Sequence, residues 1–132
     1  LDIEELTMPD ENISHHLDEV QFSLMLNNLI ENSIKYSKPP TKIKLELINL
    51  NESIRIELSD NGPGVPEKDL ENLLLPFYRP DEARTRLDGG TGLGLYLAST
   101  ICKSHGGNLS LANLNPGLKV TIELKKNNDY DL

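Results

Sequence analysis

Asn28, Asn32 and Lys35 lie four and three residues apart, a spacing that sets side chains on one face of a helix. A carboxamide oxygen is a hard ligand suited to Mg2+, and an ammonium suits a phosphate. The same spacing also describes a solvated polar stripe, so chemistry there needs partners from elsewhere. One such partner is Asp60-Asn61-Gly62-Pro63-Gly64. Its carboxylate can accept a hydrogen bond from an exocyclic amine, and its glycines let backbone pass close to a flat ring. Alone it reads equally as a strand-to-loop turn. A third stretch, Gly89-Gly90-Thr91-Gly92-Leu93-Gly94-Leu95, runs into a helical pattern. Glycines at a helix N-terminus turn backbone N–H groups toward an anion, with the helix dipole behind them. No Gly-Lys-Ser/Thr follows, so this is not a Walker A loop. The spacing and the lack of a preceding strand also exclude the dinucleotide fingerprint. Last comes Pro76-Phe77-Tyr78-Arg79, with Arg84 and Arg86 beyond it. An aromatic pair beside arginines reads as a surface patch or as the base of a mobile lid.

These residues must be positioned by ordered elements. Phe22, Leu26, Leu29, Ser33 and Tyr36 recur at helical spacing, with Met25, Ile30 and Ile34 beside them. Asp18 is the expected N-cap, and Pro39-Pro40 ends the run. Ile43, Leu45 and Leu47 alternate with charged residues, as do Ile54, Ile56 and Leu58. That pattern predicts a half-buried hairpin turning between 49 and 53. A short acidic helix is expected over 67–75, an irregular lid over 77–90, and a helix over 91–104 closed by Gly106-Gly107. Leu109 and Leu111, then Leu118, Val120, Ile122 and Leu124, predict two strands turning at Asn115-Pro116-Gly117. A first strand is expected near 13–17, and residues 126–132 read as a frayed tail. The expected fold is a two-layer α/β sandwich, a mixed sheet of roughly five strands with three main helices on one face.

A chain of 132 residues is one domain, here spanning 1–132. Its net charge of -8 excludes a nucleic-acid surface, which needs a basic patch. An acidic protein also repels a nucleoside triphosphate at long range. Any phosphate site must therefore bring local positive charge, a metal ion, or both. Cys102 is a lone cysteine in an apolar helical stretch, so it reads as a buried small hydrophobe. No apolar run of about 18 residues is present, and a signal peptide is not expected. The chain opens on Leu1 rather than Met, as expected of a piece of a longer protein.

Taken together, in this order and spacing, the four segments resemble the ATP-binding catalytic domain of sensor histidine kinases, in the Bergerat-fold ATPase and kinase superfamily. Asn28-Leu29-Ile30-Glu31-Asn32-Ser33-Ile34-Lys35-Tyr36 resembles the N box, and 60–64 the G1 box. Residues 76–79 resemble the F box and 90–95 the G2 box. The run through Arg84 looks most like envelope-stress sensors of two-component systems. The likeness covers roughly 18–124, leaving 1–17 poorly matched. It implies ATP and Mg2+ as ligands. Asn32 would coordinate Mg2+, Asn28 and Lys35 would sit at the phosphates, and Tyr36 beside the adenine. Asp60 would accept from the adenine amine, and Gly62, Gly64 and Val65 would shape the base pocket. Gly90, Thr91, Gly92, Leu93 and Gly94 would line the triphosphate. Phe77 would pack at the lid base, with Arg79 and Arg84 favoured over Arg86 for phosphate contact. Ser33 stands where the family usually has Ala, a change expected to be tolerated.

Superfamily members that hydrolyse ATP place a glutamate where Asn28 stands. Asn cannot abstract a proton, and losing a general base costs roughly 10²–10⁴-fold. Glu31 is offset from that position on the helix. The resemblance therefore implies phosphoryl transfer to a histidine on a separate dimerisation and phosphotransfer domain, feeding a response regulator. His15-His16 lacks the context of an acceptor box, and His105 reads as a helix C-terminal cap, so the chain is not expected to phosphorylate itself. The expected setting is the cytoplasmic side of a membrane-anchored homodimeric sensor. The domain itself is expected to be monomeric, without membrane or nucleic-acid contact. Alternatives are a serine protein kinase of the anti-sigma-factor type and a non-catalytic nucleotide-sensing module.

Overall fold

A computed structural model of the chain describes residues 3–7, 19–36, 40–78 and 94–125. The elements are β1 (Ile3–Thr7), α1 (Glu19–Tyr36), β2 (Thr41–Asn49), β3 (Ser53–Asp60), α2 (Gly94–Ser104), β4 (Gly107–Asn113) and β5 (Leu118–Lys125). The strands form one sheet in the order β1-β2-β3-β5-β4. β1 runs parallel to β2 and every other pair is antiparallel. The mixed two-layer α/β sandwich is therefore observed, with side chains described for β2 to β5.

Alternation builds the sheet. In β2, Ile43 and Leu45 are buried while Lys42 and Lys44 are exposed. Register sets Leu45 against Leu58 and Leu47 against Ile56, so both strands show their apolar side to one layer. The turn closes with the Leu50 N–H donating to the Ser53 carbonyl at 2.9 Å. β5 continues the pattern, with Val120, Ile122 and Leu124 buried. Met25 and Leu29 of α1, with Leu95, Ala98, Ile101 and Cys102 of α2, cover this face. Each such aliphatic side chain contributes about 1.5–3 kcal/mol when fully buried. On the opposite face Arg55 and Glu123 stand directly across β3 and β5 and pair at 3.0 Å. Both are part-exposed, so the pair contributes at most about 1 kcal/mol.

Three expectations need correction. The first strand is at Ile3–Thr7, whereas 13–17 lie outside the described residues. The acidic stretch after Pro66 forms two 3-10 turns, Glu67–Asp69 and Glu71–Leu74, rather than an α-helix. The described residues thus hold two α-helices, α1 and α2, with these 3-10 turns between them. The stretch is short, and its bonds run from Asp69 N–H to Pro66, Leu70 N–H to Glu67 and Leu75 N–H to Asn72, the three-residue closure of short helical pieces. Finally, the buried stripe of α1 runs Met25-Leu29-Ser33, with Leu26 only half-buried.

α2 ends as the sequence predicts. The His105 N–H donates to the Ile101 and Cys102 carbonyls, and its Nδ1 lies 2.9 Å from the Ile101 carbonyl. Cys102 is buried, and desolvation pushes its thiol up to about 11. It behaves as a small hydrophobe, not a nucleophile.

Candidate functional site

The site grows from the end of β3. Asp60 closes that strand, and its Oδ1 accepts from the Gly62 N–H at 2.9 Å and from the Leu118 N–H at 3.2 Å. The first bond tightens the turn; the second ties it to the start of β5. Ser33 of α1 is only 5% exposed, and its hydroxyl favours the ionised form of the same carboxylate. Burial raises the Asp60 carboxyl above its ordinary range, opposed by these three donors. A half-buried acceptor already held in place is suited to reading a donor on a ligand.

The loop after Asp60 is held from both sides by carboxamides. Asn61 accepts from the Lys42 N–H and donates to the Pro40 carbonyl, each at 2.9 Å. Asn113, at the end of β4, accepts from the Val65 N–H at 3.0 Å and donates to the Val65 carbonyl at 2.6 Å. Its Nδ2 also reaches Glu67 at 3.1 Å. The Asn113 side chain thus pairs with Val65 as a neighbouring strand would. It also crowds Gly64, where a Cβ would sit 2.6 Å from the Asn113 Oδ1 and where φ is +74. Val65 packs its side chain against the core, and its backbone groups are taken. It can offer a ligand apolar contact only.

The second part of the site is where α1 meets α2. The Cβ position of Gly94, the first residue of α2, lies 3.8 Å from the Asn28 carbonyl oxygen. Beside it, the Asn28 Nδ2 is buried with no hydrogen-bond partner among the described residues. A buried donor without an acceptor costs about 1–3 kcal/mol. An anion at this helix N-terminus would satisfy it. Asn32 is half-buried one turn further on, and Lys35 is exposed in the last turn of α1. Among the described residues no three His, Cys, Asp or Glu side chains gather into a metal cluster. The donor set instead offers a carboxamide oxygen, which fits a Mg2+ ion that takes its other ligands from phosphates and water.

The structure sets Gly94 against Asn28 and, separately, holds Asp60, Gly62, Gly64 and Val65 in one turn, while Asn32 is half-buried on α1. The side chain of Tyr36, and Arg79, Arg84, Arg86, Gly90, Thr91, Gly92 and Leu93, lie outside the described residues, as does most of the expected lid. Phe77 is 69% exposed with a φ of 66, so it is not the packed aromatic expected there. Tyr78 is: it packs against the core, and its hydroxyl donates to the buried Asp69. One residue escaped the sequence reading, Asn113, which carries no local signal.

Comparisons with known proteins identify the family of the chain. The model of the histidine kinase-, DNA gyrase B- and HSP90-like ATPase family matches residues 17–128. The chain is similar to the sensor histidine kinase WalK of Bacillus subtilis, 34% identical over 130 residues, covering 94% of this chain and 21% of WalK. It is also similar to the sensor histidine kinase CpxA of Escherichia coli, 44% identical over 82 residues, 62% of this chain and 18% of CpxA. The chain thus spans about a fifth of the length of these curated relatives. Among solved structures, the catalytic domain of the histidine kinase ThkA superposes with a TM-score of 0.81 at 26% identity, covering 95% of this chain and 81% of that one.

Proposed function

The chain belongs to the histidine kinase-, DNA gyrase B- and HSP90-like ATPase family, and within it we propose that this is the ATP-binding catalytic domain of a sensor histidine kinase. The observation that carries the reading is that α1 meets the start of α2 at Asn28, whose buried side-chain amide has no hydrogen-bond partner among the described residues. Asp60 then accepts from the amine of adenine in the turn shaped by Gly62, Gly64 and Val65. The unpartnered Asn28 amide donates to a phosphate oxygen, and Asn32 supplies its carboxamide oxygen to Mg2+. When bound, Mg2+ neutralises phosphate charge in a domain of net charge -8. Lys35, Tyr36, Arg79, Arg84 and the backbone of Gly90, Thr91, Gly92, Leu93 and Gly94 complete the site by resemblance.

Asn28 decides what the bound nucleotide does. A carboxamide orients and donates but does not deprotonate water. The γ-phosphoryl group therefore passes to a histidine presented by a dimerisation and phosphotransfer domain, and on to a response regulator. The chain's own part is positioning and charge stabilisation. No helix among the described residues is long and apolar enough to cross a membrane. We place the domain on the cytoplasmic side, where ATP is.

Calorimetry tests the reading. Mg-ATP should bind in the micromolar range and GTP much more weakly, because a carbonyl facing Asp60 leaves a buried mismatch of about 1–3 kcal/mol. Equal affinities would remove Asp60 from the site.

A further inference from the structure

Residues 61–66 leave the sheet between the end of β3 and the first 3-10 turn. They include Gly62, Gly64 and Val65, so the shape of this stretch is the shape of the proposed base pocket. Two glycines make it adaptable and costly to order. Side chains from its two ends fix it instead. β2 and β3 stay in register as far as Ile43 and Asp60. One residue on, the side chain of Asn61 takes over on the β2 side, accepting from the Lys42 N–H and donating to the Pro40 carbonyl. At the other end, Asn113 closes β4 and engages both the N–H and the carbonyl of Val65, 48 residues away in sequence.

Each carboxamide therefore spends a donor and an acceptor on backbone groups, continuing a pairing that the main chain has given up. All four bonds are made within the protein, so none of them needs a nucleotide to form. Between the two anchors lie only Gly62, Pro63 and Gly64. Gly64 has a φ of +74 and sits so close to the Asn113 Oδ1 that a Cβ would clash there. The turn is thus tied to β2 at its start and to β4 at its end. The phosphate end of the site, at Asn28 and Gly94, belongs to α1 and α2 and shares none of these bonds.

We infer that Asn61 and Asn113 are positioning residues for the nucleobase, which hold the turn from Asp60 to Val65 in its binding shape so that the ligand does not have to order it. This rests on the reading of that turn as the base pocket proposed above. Neither side chain needs to touch the nucleotide; both act through the backbone of the turn. A pocket ordered in advance binds more tightly because less conformational freedom is lost on binding. That gain belongs to the base alone.

The test separates the base from the phosphates. Affinities for Mg-ATP and for Mg-tripolyphosphate, which has the phosphates but no base, are measured by competition against labelled ATP on the wild type, Asn61→Ala and Asn113→Ala. Wild type should bind ATP more tightly than tripolyphosphate. Each variant should narrow that margin about five- to tenfold, as expected for the loss of two ordinary hydrogen bonds, with tripolyphosphate affinity unchanged. The Asn61 bonds lie at the surface, so Asn61→Ala reads binding even where Asn113→Ala also lowers stability. If wild type holds the margin but either variant keeps it in full, or loses both ligands in equal proportion, the carboxamides do not position the base although the pocket stands. If wild type binds ATP no better than tripolyphosphate, the base-pocket reading itself fails and takes this inference with it.

Discussion

Gly117 and Asp60 approach so closely that a Cβ on Gly117 would lie 1.8 Å from the Asp60 carbonyl oxygen. The turn between β4 and β5 is thereby pressed onto the end of β3, and the next residue, Leu118, donates its N–H to the Asp60 side chain. Gly117 has a φ of +112, which side chains rarely adopt. Gly117→Ala should therefore both strain the turn and push Asp60 out of place. Overpacking of this kind costs about 1–3 kcal/mol. A urea titration should show that loss, and ATP affinity should fall with it. An unchanged denaturation midpoint would contradict the contact.

Asp60 carries a pH signature. Its carboxyl is raised above 3.8, chiefly by burial. The folded chain then holds that proton more tightly than the unfolded chain. Its stabilising contribution is fully present below pH 3.8 and is lost as pH rises through the raised folded value. Asp60→Asn does not titrate. In the nucleotide-free chain, Asn should be relatively favoured at neutral pH, and that advantage should shrink on acidification. Urea titrations across the acid range check this; a difference independent of pH would contradict it. The same substitution should abolish the preference for ATP over GTP.

Asn113 predicts a different split. Asn113→Ala removes three hydrogen bonds and leaves the Val65 N–H without its acceptor. The cost should be about 1–3 kcal/mol, read as a lower urea midpoint together with weaker ATP binding. Asn113→Asp keeps an acceptor for the Val65 N–H but sets a carboxylate against the Val65 carbonyl and Glu67. It should be no better than alanine despite its shape. An aspartate variant as stable as wild type would show that only the acceptor half of the clamp matters.

Asn32 faces a narrower test. Asn32→Ala should leave the fold intact and abolish the strengthening of ATP binding by Mg2+. Calorimetry with Mg2+ and with a chelator measures that factor directly. If Mg2+ strengthens binding as much in the variant as in wild type, Asn32 is not its ligand.

The legible parts of this molecule were those with a local period or a local motif. The hairpin of β2 and β3 follows from alternation around Leu45 and Leu58, and the helix C-terminus from His105 and the glycines after it. β1 was misplaced because Ile3–Thr7 mixes acidic and apolar residues without clean alternation. Its register with β2 also shifts between Ile3 and Glu5, so pairing rather than pattern defines it. The 3-10 turns replaced an expected helix because Asp69 is buried to receive Tyr78, a tertiary demand that no helical pattern announces. At the site, Asp60 and its glycines stood out as a motif. Asn113 acts across 48 residues through a side chain that mimics backbone, and spacing carries no trace of that.

The central claim is that this site donates a phosphoryl group to a histidine supplied from outside the chain. It is tested most directly with γ-labelled ATP, offered to the chain alone and together with the histidine-bearing domain of its parent protein. The account predicts no label on this chain, slow phosphate release, and acid-labile label on the added domain. Label on His15 or His16, or rapid phosphate release by the chain alone, would contradict it.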